Sequence, residues 1–485
     1  MSLIQKTAVE IRQSLLAEDI TPLDLLDALE QRIAEVEPTV NALPTLCFDR
    51  ARDQAKRLLE KPLGERGLLA GIPVAVKDLD SVSGVRTTFG STVFSNFVPT
   101  ASDCLVDMLE HEGGIPYAKT NTPEFGAGAN TFNDVFGRTL NPWDTSKSCA
   151  GSSGGSAVAL ATGTAWLATG SDLGGSLRNP ASFCSIVGFR PSPGRVAHGP
   201  SGPGASPGNG AGLINQPFAV SGPMARNVPD VALLLDAMSG VHTADCLSMP
   251  REAVPYLTAV EQALQQNKHA LRVAFSPDLG VTPVDPEVAS IVEKAAKQFE
   301  ALGCTVEVAH PDFSDMEDIF QTNRAMLFYA GHKALLEKHK EALKPEVVWN
   351  IEKASKVSMD DIARVETARA AYMARATQFF NDYDLLLSPA TIVPPYPAEQ
   401  RFVESCEGVV FDNYIQWCSI AYAITNTGFP AMSVPAGFTE GGLPVGMQMV
   451  TGARGEAALL GAAACYEQHC GLSTKVPINP IVKTG

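Results

Sequence analysis

Two short segments rich in serine and glycine carry the residues best suited to catalysis. They run Cys149-Ala-Gly-Ser-Ser-Gly-Gly-Ser-Ala157 and Gly170-Ser-Asp-Leu-Gly-Gly-Ser-Leu-Arg178. Glycine adopts backbone conformations closed to other residues, so a Gly-Gly-Ser turn can gather several N–H groups beside an exposed hydroxyl. This is how an oxyanion hole lies next to a nucleophile. We expect Ser176 to attack a carbonyl carbon, with the oxyanion held by the N–H groups of Leu173, Gly174 and Gly175.

A serine nucleophile needs a base to take its proton. Histidine is the usual base, but only His198 among the eight histidines lies near these segments. Lysine can replace it when burial keeps the amine neutral. Lys77 ends the apolar run Gly71-Ile-Pro-Val-Ala-Val-Lys77, which is typical of a buried strand. It is the lysine best placed to act as a base, although a lysine at a strand end more often just reaches solvent.

A different nucleophile is conceivable at Ser153. Gly151-Ser-Ser-Gly-Gly155 matches the G-x-S-x-G elbow of other serine hydrolases, with Ser153 at its centre. That elbow follows a strand, whereas residues 141–148 have the composition of a loop. A phosphate-binding loop is also disfavoured, because no Gly-Lys-Ser or Gly-Lys-Thr follows the glycines.

Taken together, these segments resemble the amidase signature family. Further matching motifs are Lys119-Thr-Asn-Thr-Pro-Glu124, Val187-Gly-Phe-Arg-Pro191, Gly222-Pro-Met-Ala-Arg226, Asn426-Thr-Gly-Phe-Pro-Ala431 and Gly442-Leu-Pro-Val-Gly-Met-Gln448. The resemblance runs nearly end to end and implies amide hydrolysis through an acyl-enzyme on Ser176. It implies that Ser152, following a cis peptide bond, relays protons to Lys77 as the neutral base. It implies neither a cofactor nor a metal.

The resemblance also indicates where a substrate would lie. It places the carbonyl of Gly126 against the leaving amine. The other residues expected to contact substrate are Gly128, Asn130, Gly151 and Ile424. We expect the pocket wall to include residues 125–130, the 199–217 loop and the 315–330 helix. Their apolar character favours an apolar or aryl amide or carbamate, while Cys149 is expected to pack rather than line the pocket.

The elements that must position these residues alternate between helix and strand. Residues 1–65 are predicted to be helical, and residues 66–245 alternate in the manner of an α/β catalytic core. A helical subregion is expected over 250–382, and residues 383–485 return to the core sheet. The family resemblance implies one large α/β/α domain over 1–485, with a mixed, twisted sheet covered by helices.

The amino-acid composition narrows the classes of partner that this chain is expected to bind. The 485 residues carry a formal net charge of −16, which disfavours nucleic acid or an anionic membrane. The ten cysteines form no CxxC pair, and no export signal begins the chain, so a cytoplasmic location is expected. We expect a small amide as substrate and a possible homodimer. The alternatives are an ammonia-delivering protein resembling the A subunit of glutamyl-tRNA amidotransferase, and a binding protein without catalysis.

Overall fold

The computed structural model describes residues 2–205, 218–266 and 270–483. The predicted α/β fold is confirmed, because the described part contains a large mixed sheet covered by helices. The strands are β1 (Thr45–Leu46), β2 (Pro73–Lys77), β3 (Ile115–Thr120), β4 (Phe132–Asn133), β5 (Gly137–Arg138), β6 (Leu167–Asp172), β7 (Val187–Arg190), β8 (Val220–Ala225), β9 (Arg272–Phe275), β10 (Thr305–Val308), β11 (Leu385–Pro389), β12 (Ser405–Cys406), β13 (Val409–Val410), β14 (Ala431–Phe438) and β15 (Pro444–Val450).

Eleven of these strands form the main sheet, in the order β1-β3-β2-β6-β8-β7-β14-β15-β11-β9-β10. Strand β2 runs parallel to β3 and β6, and β9 runs parallel to β10 and β11. The strands between these two parallel groups pair antiparallel. The short pairs β4-β5 and β12-β13 lie outside the main sheet.

The helices cover this sheet and include α5, α6, α7 and α9 in direct contact with its strands. They are α1 (Ala8–Leu16), α2 (Pro22–Val40), α3 (Phe48–Leu59), α4 (Cys104–His111), α5 (Gly154–Thr162), α6 (Arg178–Cys184), α7 (Val228–Met238), α8 (Tyr256–Leu264), α9 (Pro286–Ala301), α10 (Met316–His339), α11 (Pro345–Ala354), α12 (Met359–Phe379), α13 (Ser419–Thr427) and α14 (Glu456–Cys470). None of the described helices has the length and apolarity that a membrane crossing requires.

The 250–382 segment contains two strands as well as helices. Its strands β9 and β10 extend the edge of the main sheet, because β9 pairs with β11 from the C-terminal part of the chain. The other elements of this segment are helices, with α11 lying between α10 and α12. The predicted loop over 199–217 is described only as far as residue 205, and residues 206–217 lie outside the described part.

Two strand ends and two helix starts meet where the catalytic segments were predicted. Strands β2 and β6 are parallel neighbours, so their carboxyl ends lie at the same edge of the sheet. Lys77 ends β2 and Asp172 ends β6. Helix α5 begins at Gly154, directly after Ser152 and Ser153, and α6 begins two residues after Ser176. α/β proteins bind their ligands at the carboxyl ends of parallel strands.

Helix α5 depends on a close contact at its first turn. The N–H of Gly155 donates to the carbonyl of Asn121 at 3.2 Å. A Cβ atom on Gly155 would lie 2.3 Å from the Asn121 nitrogen and 2.7 Å from the Ala42 oxygen, which are backbone atoms that cannot rotate away. The glycine therefore lets α5 and the serines before it approach the end of β3.

We predict that Gly155→Ala destabilises the fold by about 3 kcal/mol, near the upper end of the usual cost of overpacking. The midpoint of urea unfolding measures this loss. Gly64→Ala is the matched control, because no heavy atom lies within 4 Å of its added Cβ. Equal midpoints for the two variants would contradict the contact.

Candidate active site

The Lys77 amine is buried at the end of β2 and contacts three hydroxyl groups. Its side chain is 0% exposed, so it does not reach solvent as strand-end lysines usually do. Nζ lies 2.7 Å from the Ser152 Oγ, 2.8 Å from the Ser153 Oγ and 3.0 Å from the Ser171 Oγ. Ser152 follows a cis peptide bond from Gly151. The structure thus brings Lys77 and Ser152 into direct contact.

Burial also sets the charge of this amine. It lowers the pKa of Lys77 from 10.5 to about 7, although the carboxylates of Asp80 and Asp172 act in the opposite direction. Near neutral pH the amine is therefore neutral in a large fraction of molecules. A neutral amine that acts as a base must be within hydrogen-bond reach of the proton it takes.

The hydrogen bonds indicate which hydroxyl can donate to Lys77. A neutral amine offers two N–H donors and one lone pair to its three hydroxyl neighbours. The Ser153 hydroxyl donates to the Ser171 carbonyl at 3.3 Å, which leaves its oxygen to accept from Nζ. Ser152 and Ser171 have no other acceptor within the described ranges, and Ser152 lies closer to Nζ. It is best placed to donate to the lone pair.

Ser176 shares a cavity with Ser152 and Ser171. Its carbonyl accepts a hydrogen bond from the N–H of Ser153 at 3.3 Å, which ties the two serine segments together. In the part of the chain that the structure describes, its hydroxyl has no hydrogen-bond partner. The hydroxyl is thus available to a ligand in the cavity.

Asp172 shapes the turn that carries Ser176. Its carboxylate accepts from the N–H of Gly175 at 3.0 Å and from that of Leu177 at 3.2 Å. Arg178 contacts the same carboxylate through Nη2 at 2.8 Å and Nε at 3.0 Å, and Arg190 lies at 3.4 Å. Burial opposes ionisation, but the two guanidinium groups hold the pKa of Asp172 well below its usual range. The turn is therefore anchored on a fixed negative charge.

This anchoring corrects the predicted oxyanion hole in one respect. The N–H of Gly175 already donates to Asp172, so it has no bond to give to an oxyanion in this conformation. The N–H groups of Leu173 and Gly174 have no acceptor among the described residues, and both residues line the cavity. They remain the donors available to a ligand oxygen.

The cavity has a volume of about 280 Å³ and an apolar wall. Gly126 and Gly128 line it, as predicted, and a Cβ on Gly126 would lie 3.4 Å from the Ser152 Oγ. The apolar side chains of the wall include Leu79, Phe89, Phe94, Phe125, Leu327, Phe328, Leu335 and Ile415. The expected contributions of residues 125–130 and of the 315–330 helix are therefore present, and Gly199 and Ala205 represent the described part of the 199–217 loop.

Asn130, predicted to contact substrate, is instead part of the scaffold. Its Nδ2 donates to the carbonyls of Ala398 and Gln400 at 3.2 and 2.8 Å. Its Oδ1 accepts from the Ser148 hydroxyl at 2.8 Å. These bonds use the amide group to connect two loops, and Asn130 does not line the cavity.

Gly151 and Ile424 also lie away from the cavity wall. A Cβ on Gly151 would lie 3.1 Å from the nitrogen of Asn130, so this glycine permits close approach of two backbone segments. Ile424 is 1% exposed and packs in the hydrophobic core around α13. Cys149 is buried and does not line the cavity, in agreement with the packing role expected for it.

Two polar groups of the site were not singled out from the sequence. Ser171 contacts Lys77, and Asp172 anchors the turn, yet both lie within the segment that pointed to Ser176. His198 lines the cavity, but its ring makes no hydrogen bond to Ser152 or Ser176, all three being described residues. Across residues 2–205, 218–266 and 270–483, no group of three or more His, Cys, Asp or Glu side chains could hold a metal ion.

Comparison with known proteins gives consistent matches along the whole chain. A family model described as Amidase matches residues 24–460. An acylamidase of Rhodococcus erythropolis is 33% identical over 483 residues, covering 98% of each chain. The A subunit of the glutamyl-tRNA(Gln) amidotransferase of Alkaliphilus metalliredigens (strain QYMF) is 31% identical over 515 residues, covering 100% of each. The crystal structure of a bacterial aryl acylamidase of the amidase signature family superposes with a TM-score of 0.86, at 27% identity and 97% coverage of each chain.

The lowered pKa of Lys77 predicts a specific pH dependence of stability. Below pH 7 the amine is charged in both the folded and the unfolded chain. Between pH 7 and 10.5 it is neutral only in the folded chain, so the unfolded chain binds more protons and stability rises with pH. We expect the free energy of unfolding of the wild type, relative to Lys77→Met, to increase from pH 7 towards pH 10.

Urea unfolding of both proteins at several pH values measures this difference. The exposed lysine variant Lys56→Met is the control for the loss of one lysine. A difference between the wild type and Lys77→Met that does not change with pH would show that the buried amine titrates normally.

Proposed function

The chain belongs to the amidase signature family and hydrolyses amide C–N bonds, and from this premise we propose that Ser176, Ser152 and Lys77 carry out the reaction. One observation supports this assignment above all. The buried Lys77 Nζ lies 2.7 Å from the Ser152 Oγ, and Ser152 lines the same cavity as Ser176. The pKa of Lys77 near 7 suits a base that works at neutral pH.

In the first half of the reaction Ser176 attacks the amide carbonyl carbon. As its Oγ forms the new C–O bond, its proton passes to Ser152, and the proton of Ser152 passes to Lys77. The carbonyl oxygen takes up the negative charge and accepts hydrogen bonds from the N–H groups of Leu173 and Gly174. Lys77 then returns its proton through Ser152 to the leaving nitrogen, the C–N bond breaks, and an amine departs.

The second half releases the acyl group from Ser176. A water molecule attacks the ester carbonyl while its proton follows the same route through Ser152 to Lys77. The ester C–O bond breaks, the Ser176 oxygen regains the proton, and a carboxylic acid is released. Ser153 and Ser171 hold the Lys77 amine in position throughout, because both contact Nζ but neither lies between it and Ser176 in this relay.

The substrate we propose is a small linear amide with an apolar or aryl group. The cavity wall is rich in phenylalanine, including Phe89, Phe94, Phe125 and Phe328. Aromatic side chains bind flat apolar groups through burial and ring contacts. The relatives called acylamidase and aryl acylamidase are consistent with this class. A cytoplasmic location completes the proposal, supported by ten cysteines that form no CxxC pair.

The second candidate is the ammonia-delivering component of an amidotransferase. This candidate is supported by the match to the A subunit of a glutamyl-tRNA(Gln) amidotransferase over the full length of both chains. Such a component should copurify with a partner protein and release ammonia from glutamine. The apolar cavity wall favours the stand-alone amidase.

We predict that a fluorophosphonate labels Ser176 and that the labelling rate rises with pH to a plateau, with a midpoint near pH 7. The rise reflects deprotonation of Lys77, and peptide mass spectrometry identifies the labelled serine. Ser176→Ala should take up no label. Lys77→Met should react roughly 100-fold or more slowly, the usual effect of losing a general base. A label on Ser153, or an equal rate at pH 5 and pH 8, would refute the relay.

We further predict that the purified chain alone hydrolyses 4-nitroanilides of short apolar acids faster than it releases ammonia from glutamine. The phenylalanine-rich wall offers apolar surface to the nitroanilide ring, and glutamine has no such ring. Release of 4-nitroaniline and of ammonia measures the two rates. Faster glutamine hydrolysis, or activity only with a copurified partner, would favour the amidotransferase component.

A further inference from the structure

Arg324 is a buried cation on α10 without a carboxylate to match it. Its side chain is 4% exposed and lines the same cavity as Ser152 and Ser176. In the described ranges its guanidinium makes hydrogen bonds but no ion pair. None of the residues outside those ranges is Asp or Glu. The chain therefore supplies no side-chain carboxylate to this guanidinium.

Neutral groups fix the position of this guanidinium. Its Nε donates to the Asn350 Oδ1 at 3.1 Å, and its Nη2 donates to the Tyr414 hydroxyl oxygen at 2.6 Å. Asn350 is itself held, because its Nδ2 donates to the carbonyl of Glu346 at 2.7 Å. The ring of Phe328 packs against the guanidinium, with its centroid 4.8 Å from Cζ. Nη1 has no acceptor among the described residues, so the group is preorganised with a donor left over.

The acidic residues of the cavity do not neutralise Arg324. Asp172 is already held by Arg178 and Arg190. Burial raises the pKa of Asp80, and it raises the pKa of Asp103 to about 7. A buried charge without a counter-charge is costly, and proteins keep one where a ligand brings the opposite charge.

The position of Arg324 relates it to the reacting bond. Phe320 lies one helical turn before Arg324 on α10, and its Cζ would lie 3.3 Å from a Cβ on Gly174. Gly174 belongs to the turn that carries Ser176. The Cζ of Arg324 lies 5.9 Å from the centroid of the same Phe320 ring, so the guanidinium is near the proposed oxyanion donors.

We propose that Arg324 is a specificity residue that binds a carboxylate of the substrate, several bonds away from the amide that is cleaved. The substrate class is then an apolar or aryl amide bearing one carboxylate. The inference rests on the proposed amide hydrolysis and adds to it the charge of the substrate. The carboxylate can belong to the acyl part or to the amine part, and the experiment separates these two.

Binding without turnover tests the site directly. Isothermal titration calorimetry of the Ser176→Ala variant compares the dissociation constants of 4-phenylbutyrate and of the neutral 4-phenylbutyramide. We expect the carboxylate to bind roughly tenfold or more tightly, as charge-assisted hydrogen bonds do. Adding Arg324→Met should abolish this preference. Adding Lys353→Met should preserve it, because Lys353 is a nearby cation that contacts Gln321 and does not line the cavity.

Turnover by the wild type then locates the carboxylate. To test a carboxylate on the acyl part, we compare N-(4-nitrophenyl)succinamate with its methyl ester. To test a carboxylate on the amine part, we compare 4-acetamidobenzoate with its methyl ester. Only cleavage of the amide bond is counted in each rate. We expect kcat/KM to favour the acid roughly tenfold or more in one of these comparisons, and Arg324→Met to remove that preference. Arg324→Lys keeps the charge but loses the planar fork, and should retain part of it.

The outcomes separate the two proposals. No carboxylate preference in Ser176→Ala, or an equal preference after Arg324→Met, overturns the role of Arg324. An Arg324-dependent preference without hydrolysis of any amide supports the binding site and counts against the proposed reaction. If Arg324→Met fails to fold, the affinity of Arg324→Lys for 4-phenylbutyrate replaces it as the test. A weaker affinity than that of the unaltered Arg324 supports the proposal, and an unchanged affinity overturns it.

Discussion

The burial of one amine among hydroxyl groups is the constraint on which the site depends. Lys77 and Lys119 are neighbours on adjacent strands and both are buried, but they have different partners. Lys119 lies 3.4 Å from the carboxylate of Asp78, whereas Lys77 contacts only serine hydroxyls. A carboxylate partner would favour the charged form of Lys77, and hydroxyls leave the cost of burial uncompensated. The arrangement therefore favours a neutral base.

Neighbouring carboxylates do not cancel the lowering of the Lys77 pKa by burial. Asp80 and Asp172 both act to raise the pKa of Lys77. Burial raises the pKa of Asp80 itself, and Asp172 shares its charge with Arg178 and Arg190. The same carboxylate holds the turn before Ser176. One buried aspartate thus anchors the nucleophile segment, and its two arginines limit its pull on the base. The parallel pairing of β2 and β6 brings both functions to one edge of the sheet.

Much of the site could be predicted because its chemistry is local in sequence. The glycine turns pointed to Ser176, and the apolar run before Lys77 pointed to a buried strand end, which β2 confirms. Prediction of the site fails where the hydrogen-bond partner of a residue is distant along the chain, or where it depends on the geometry of a turn. Gly175 could not be excluded as a free donor without knowing that Asp172 turns back to accept its N–H. Asn130 binds carbonyls that lie far away in sequence, at Ala398 and Gln400.

The same limit applies to the fold and to Arg324. Helical periodicity predicted α10, but the absence of a carboxylate beside Arg324 depends on how α11 and the loop at Tyr414 pack against it. The place of β9 and β10 at the edge of the main sheet likewise could not be predicted, because pairing partners are set by tertiary packing. Sequence patterns identify elements and turns, and the charge environment of a side chain emerges only when those elements meet.

The central claim is that the amine at position 77 has a pKa near 7 and is neutral in a large fraction of molecules at physiological pH. An NMR titration of protein carrying lysine labelled with ¹³C at Cε measures this directly, with the Lys77 resonance assigned by its absence in Lys77→Met. The account predicts a titration midpoint near pH 7, well below the 10.5 of an ordinary lysine. A resonance that stays at the position of a charged amine up to pH 10 would contradict it.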